Sequence, residues 1–402
     1  MYILKKNTTR CNSELSLREL LQKFLDENEI LVSSIASEIK VHIDTLQKFL
    51  SGETDLKFMQ AIRIMKILGL TDEELISSYS KNFDIEAEKE TLENLEEIAF
   101  VTQNFNIPEL KKMGIISPRA KLNEYATYIC KFFNFSSIYQ YNDTSLTPTL
   151  FSKSRRKVLA EKESKMTNFW LKCAIHSFNQ IGNPHEYDKE LLTQLIKRSS
   201  EFTKDTVYGY YRFILVLYQL GITVLTQPYT TKTKAFGGTL VLNGKPCIII
   251  TDMGKKYHKL WLSLMHELYH VINDYEMLET MEYHFSTPNE PDLLINEEKA
   301  DQFALDILIH PSIQENLAKI IDFPIKVKAL ANELGVADCI IYGVYLEGLP
   351  NGPIKNNMFA RLSKYLLPSE IATKNILFDP IKKRSLENAI ETMRNKLTKA
   401  VI

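Results

Sequence analysis

The sequence predicts a mainly α protein with a small α+β part. Apolar residues recur three and four positions apart through most of the first 220 residues, which is the helical period. Three apolar or β-branched runs of strand length, at 221–225, 238–242 and 247–250, stand together between helical stretches. With 402 residues, the chain is also too long for one ordinary core, so two or three domains are expected.

Taken in order, the spacing predicts short helices over 17–27, 32–39, 43–50, 57–68 and 72–79, the last with Thr71 as N-cap. Residues 80–220 continue as helices, with acidic charge dense over 86–97. Asn243-Gly244-Lys245-Pro246 between two apolar runs is a hairpin signal. A longer helix over 257–273 follows. Tyr208, Tyr210, Tyr211 and Tyr218 fall on one helix leading into the sheet, where packing is their expected use.

The 49 basic and 50 acidic residues give a formal charge of −1, so no global field draws the molecule to nucleic acid or an anionic membrane. Any DNA contact must come from a local patch. Arg155 and Arg156 form one basic run, read as a solvated helix start. Five cysteines, Cys11, Cys130, Cys173, Cys247 and Cys339, lack a C-x-x-C pair, which argues against a thiolate metal site and a disulfide framework. No signal-peptide pattern or apolar run of about 20 residues is present. The expected setting is a reducing cytoplasm, without a membrane partner.

His266-Glu267-Leu268-Tyr269-His270 is an H-E-x-x-H motif. On a helix, positions i and i+4 share a face, so both imidazoles can reach one cation at about 2.1 Å. Glu267 lies about 100° around the helix, beside the metal, where a carboxylate can take a proton from a metal-activated water. The flanking Trp261, Leu262, Leu264, Met265, Leu268, Val271 and Ile272 make this a largely buried helix, in which two histidines and a glutamate need compensating partners. Downstream, Glu297 and Asp301 are four apart on another helix. One carboxylate can ligate the metal while the other accepts from the free nitrogen of a ligand histidine. Glu276 stands where a metzincin would have its third histidine. His258, Tyr283 and His284 are candidate transition-state donors, though a lone histidine is more often structural.

The N-E-x-x-A-D segment from Asn296 to Asp301 resembles the second zinc motif of gluzincin peptidases, in which the Glu is the third ligand and the Asp supports a ligand histidine. Together with Phe236-Gly237-Gly238, the H-E-L-Y-H helix and Ile309-His310-Pro311, it is similar to the ImmA/IrrE family of metallopeptidases over about 125 residues, from near Gly221 to near Leu346. Tyr269 replaces the family's usual glycine. The resemblance implies Zn2+ held by His266, His270 and Glu297, with Asp301 behind them and Glu267 as catalytic base; Mn2+ or Fe2+ could substitute at such ligands. It further implies a zincin-like fold and site-selective cleavage of a partner, a DNA-binding repressor or antitoxin encoded nearby.

Residues 35–52 resemble an XRE-type helix-turn-helix, with Ala36 at the helix crossing and Val41 in the turn. Lys40 replaces the usual turn glycine. Lys40, His42, Asp44, Thr45, Gln47 and Lys48 are the candidate contacts to double-stranded DNA, with Lys57 near phosphates. Such modules commonly pair on two half-sites, so a homodimer is expected. Residues 324–346 look like a second helix-turn-helix, for which a helix pair packed beside the peptidase core is the favoured reading. The expected domains are an XRE-type helix-turn-helix (1–79), a helical linker or interaction region (80–205), an ImmA/IrrE-like metallopeptidase domain (206–350) and a C-terminal helical extension (351–402). The alternatives are a non-cleaving regulator that senses a ligand through its zinc domain, and a protease toxin of a toxin–antitoxin or phage-defence system.

Overall fold

The computed structural model describes residues 15–81, 85–142, 161–229, 237–281, 284–286 and 297–398. Two compact units divide the chain, Met1–Glu96 and Glu97–Ile402. Among the described residues the protein is mainly helical with a small mixed sheet.

The first unit is built from α1 (Leu17–Glu27), α2 (Val32–Glu38), α3 (Ile43–Ser51), α4 (Phe58–Leu68) and α5 (Asp72–Ser80). Their ends are encoded locally. Ser16 with Glu19, and Thr71 with Glu74, form reciprocal capping boxes that satisfy the first backbone N–H groups, worth about 1 kcal/mol per cap. Gly52 and Gly69 close α3 and α4 in the left-handed conformation. Leu21, Ile35, Leu46, Phe49 and Ile64 sit in one buried core. Lys40, in the turn between α2 and α3, has φ of 56°. That conformation costs a side-chain-bearing residue about 1–2 kcal/mol.

The division between the units falls within α6 (Ile85–Asn104). In the second unit α7 (Ile107–Lys112), α8 (Tyr125–Phe133), α9 (Glu161–Ile181), α10 (Lys189–Ile196), α11 (Ser199–Phe202) and α12 (Gly209–Gln219) precede the sheet. Strands β1 (Thr223–Gln227), β2 (Gly237–Leu242), β3 (Lys245–Thr251) and β4 (His284–Ser286) lie in the order β1-β3-β2-β4. β1 runs parallel to β3, and β2 is antiparallel to both β3 and β4. Around them come α13 (Tyr257–Asn273), α14 (Tyr275–Met281), α15 (Glu297–Leu308) and α16 (Pro311–Leu317). The chain ends through α17 (Pro324–Leu334), α18 (Asp338–Glu347), α19 (Pro353–Leu362), α20 (Glu370–Thr373), α21 (Pro380–Lys383) and α22 (Leu386–Leu397).

The first strand begins later than the sequence suggests. Gly221 has φ of 80° and ends the helix, and a Cβ there would stand 2.5 Å from the Glu186 and Tyr187 backbone. The strand instead continues to Gln227, because Thr226 and Gln227 pair with Ile250 and Thr251. The hairpin turn is also shorter than the expected four residues. Asn243 and Gly244, with φ of 53° and 73°, form it alone, as a two-residue hairpin requires. Lys245 and Pro246 already belong to β3. Pro246 precedes the residue at which pairing with β1 starts, so its missing N–H breaks no bond on that side.

One continuous core runs from Val101 to Leu397, taking in Phe169 of α9, Ile249 of β3, Leu264 of α13 and Met393 of α22. The C-terminal residues cover the outer edge of β1, where Phe378 N donates to Thr226 O at 2.8 Å. Cys173, Cys247 and Cys339 are buried thiols, and Cys130 is half-buried and free. Among the described residues no single helix is long and apolar enough to cross a membrane.

Candidate metal centre

Helix α13 lies between the sheet and α15, burying Leu260, Trp261, Leu264, Met265, Leu268 and Val271 completely or nearly so. His266, Glu267 and His270 are buried with them, at 8%, 1% and 0% exposure. Helix α15 buries Ala300, Ala304 and Leu308, and the two alanines let it approach α13 closely. Glu297, its first residue, points one carboxylate oxygen at His266 Nε2 across 3.1 Å.

The two Nε2 atoms of His266 and His270 stand 3.2 Å apart, and His270 Nε2 is 3.7 Å from Glu297 Oε1. Tetrahedral coordination at about 2.05 Å needs donor separations of roughly 3.3 Å. His266 Nε2, His270 Nε2 and a Glu297 carboxylate oxygen, all within 4.8 Å of one another, are close enough for one cation to draw them together. The donor set of two imidazoles and a carboxylate suits zinc and leaves a fourth position.

Each of the two histidines is oriented from behind. His266 Nδ1 meets Asp301 Oδ1 at 2.8 Å, and His270 Nδ1 meets Asp274 Oδ2 at 2.8 Å. Those acceptors hold the Nδ1–H tautomer, turning both Nε2 lone pairs toward one point. Burial alone would pull the His266 pKa down; hydrogen bonds to Asp301 and Glu297, and the fields of Glu267 and Glu297, outweigh it and raise it to about 10. The surroundings thus call for positive charge at this point.

Glu267 is held differently. Thr239 Oγ1, fully buried on β2, donates to Glu267 Oε2 at 2.7 Å. The other oxygen approaches the backbone of Gly237, where a Cβ would sit 2.5 Å from Oε1 and 3.0 Å from the Ile249 carbonyl. Only glycine leaves room for the carboxylate there. Tyr269 packs on Phe303 with ring centroids 5.4 Å apart, so the larger residue is accommodated against α15.

Two supports of this site were not anticipated. Asp274 is four residues from His270, a helical spacing visible in the sequence; Thr239 lies 28 residues from Glu267, and only folding brings them together. Of the candidate donors, His258 is in the core, its ring against Gly343 and its Nε2 3.5 Å from Glu347 Oε1. Eight residues from His266, it lies about 12 Å along the helix and does not face the centre. The backbone of His284 pairs with Thr239. Tyr283, Phe236, Asn296, Cys11, Arg155 and Arg156 lie outside the described residues. Tyr210 bonds Thr226 and Tyr211 bonds the Lys396 carbonyl, so both serve packing.

In the first unit, His42, Asp44, Gln47 and Lys48 are exposed on or beside α3, Thr45 is half-buried, and Lys40 and Lys57 are exposed. His42 caps α3 by accepting from Asp44 N at 3.4 Å, and its ring lies 3.3 Å from the Asp44 carboxylate. Arg18 and Arg63 are bound to the carbonyls of Phe49 and Ile39. Both arginines tie helices together, which among the described residues leaves lysines as the basic groups of that face. In the segment 324–346, α18 is buried along most of its length and presents no polar face to a groove. No family model, characterised protein or solved structure matches the chain.

Proposed function

We propose that this protein is a zinc-dependent endopeptidase that cleaves one specific regulatory protein, a repressor or antitoxin-like partner, in the cytoplasm. The observation that carries the proposal is the convergence of His266 Nε2, His270 Nε2 and Glu297 on one point, with a buried glutamate beside them. When bound, zinc would polarise a scissile carbonyl and acidify a water. His266, His270 and Glu297 would hold it, while Asp301 and Asp274 keep both imidazoles aimed. Glu267 is the proton carrier: Thr239 occupies its Oε2, which leaves Oε1, on the Gly237 side, to accept the proton and pass it to the leaving amine. A site that only holds structure needs no buried carboxylate off the ligand face. The same feature weighs against a regulator that merely senses zinc.

The first unit is proposed as an XRE-type helix-turn-helix domain that presents Lys40, His42, Asp44, Thr45, Gln47 and Lys48 to DNA or to the partner. Its support is the α2–turn–α3 arrangement with Ala36 buried at the crossing and an exposed polar face on α3.

The test compares protein termini in cells expressing the wild type and Glu267→Gln, by mass spectrometry. One or a few new termini in a single protein, present only with the wild type, are expected. Identical termini with both would refute cleavage, and hundreds of new termini would refute its specificity.

A further inference from the structure

Asp274 ends α13 at a place where its carboxylate opposes the helix dipole. Helix ends also fray more readily than helix interiors. Yet Asp274 Oδ2 meets His270 Nδ1 at 2.8 Å, and His270 is fully buried. Residue 274 must therefore be held in place against both tendencies.

Three contacts hold it. Tyr275, the next residue, donates from its hydroxyl to the Gly244 carbonyl at 2.7 Å. Tyr187 stacks on Tyr275 with ring centroids 5.1 Å apart, and its own hydroxyl donates to the Val271 carbonyl at 3.2 Å. That carbonyl lies in the last turn of α13, where helix carbonyls lack intrahelical partners. Leu278, fully buried, packs on Val241 of β2, and its N–H donates to the Asp274 carbonyl at 2.8 Å.

The Gly244 carbonyl is a firm anchor. With Asn243 it belongs to a two-residue turn, whose geometry sets the register of Leu242 with Lys245. Lys245 Nζ donates to the Asn183 carbonyl at 2.9 Å, which joins the hairpin to the loop that carries Tyr187. The two tyrosines thus grip the end of α13 from a common base.

We propose that Tyr275 is a positioning residue of the metal centre, tying Asp274, and through it the His270 imidazole, to the turn of the β2–β3 hairpin, with Tyr187 as its backing. The proposal rests on the reading of His270 as a zinc ligand. Because its hydroxyl is engaged by Gly244, Tyr275 acts only through the aim of His270 Nε2.

The test measures zinc affinity of the full chain, by competition with a chelating dye, for Tyr275→Phe alone and combined with Asp274→Ala or Asp301→Ala. The substitution removes one hydroxyl and keeps the ring against Tyr187, so the fold is retained. One net hydrogen bond corresponds to about 5-fold in affinity when its loss is fully transmitted. Tyr275→Phe should therefore weaken zinc about 3- to 5-fold in the wild type. It should do the same beside Asp301→Ala, whose defect lies at His266, and have no effect beside Asp274→Ala. Unchanged affinity in the wild-type background would overturn the proposal. Equal losses in all three backgrounds would overturn it too, since a general loosening of the fold gives that pattern. A wild type that binds no zinc would overturn the metal reading itself, and this proposal with it.

Discussion

Removing the two aspartates behind the histidines should weaken zinc binding unequally, and burial sets the order. Asp301 and Asp274 both stand 2.8 Å from an imidazole Nδ1, but their side chains are 77% and 16% exposed. Across an imidazole, a carboxylate lies roughly 6–7 Å from a dication. Their attraction is about 1.3 kcal/mol at the dielectric of water and about 5 kcal/mol at an effective dielectric of 20. The first figure corresponds to about 10-fold in affinity. Part of the second offsets the cost of burying the carboxylate, which brings the expected effect near the 100-fold upper range for such supporting groups. Asp301→Ala should therefore weaken zinc about 10-fold and Asp274→Ala about 100-fold, in competition with a chelating dye. Glu297→Ala removes a proposed ligand and should do more than either. Because Asp274 also ends α13, helicity of each metal-free variant must match the wild type. An Asp301 variant damaged as much as the Asp274 variant, or either as much as Glu297→Ala, would refute the assignment of these roles.

Glu267→Gln should retain zinc by metal analysis and lose cleavage, whereas His266→Ala or His270→Ala should lose the metal; an empty glutamine variant would reverse the role given to Glu267. Gly237→Ala places a methyl 2.5 Å from Glu267 Oε1. It should destabilise the fold by about 1–3 kcal/mol in denaturant titration and abolish cleavage with zinc still bound; full activity would mean that Glu267 works from another rotamer. Lys40→Gly relieves a φ of 56° and should raise the melting temperature of the first transition, a gain of about 0.5–1 kcal/mol after the entropy of glycine is subtracted. Burial depresses the His258 pKa, which Glu347 only partly opposes. The unfolded chain then binds the extra proton below about pH 6.5, so this group's contribution to stability falls with falling pH. The advantage of the wild type over His258→Gln in chemical denaturation should accordingly shrink from pH 7 to pH 5, and a constant advantage would exclude that origin.

How much the sequence discloses follows how local each determinant is. The capping boxes at Ser16 and Thr71 lie within one helical turn, and the helices they start are readable without a fold. The His266–His270 and Glu297–Asp301 spacings are equally local, each within a single helix. Asp274 has the same spacing from His270 but stands at the helix end, where an aspartate reads as an ordinary polar terminus. Thr239 carries no local sign at all, and Gly237 shows only as part of a Phe-Gly-Gly run that does not reveal what the glycine contacts. A threonine and a glycine in a strand acquire their meaning only when β2 is laid over Glu267.

Helix α18 shows the opposite situation, where composition held more information than the motif-like spacing. Asp338–Glu347 buries Cys339, Ile340, Ile341, Tyr342, Val344 and Leu346, apolar residues distributed around the whole helix. A groove-reading helix needs one polar face, and a helix apolar all round belongs inside a protein. Gly343 adds a second reason: a Cβ there would lie 2.3 Å from the His258 ring, so the glycine is required by contact with α13. The resemblance of 324–346 to a DNA-binding motif thus reflects two helices joined by a tight turn at Gly335, whose φ is 70°. That geometry serves packing as readily as recognition, and the distribution of side chains around the second helix decides between them. Helix α3 differs from α18 by the same criterion: Leu46 and Phe49 are buried while Asp44, Gln47 and Lys48 share an exposed polar face, which the proposed recognition role requires.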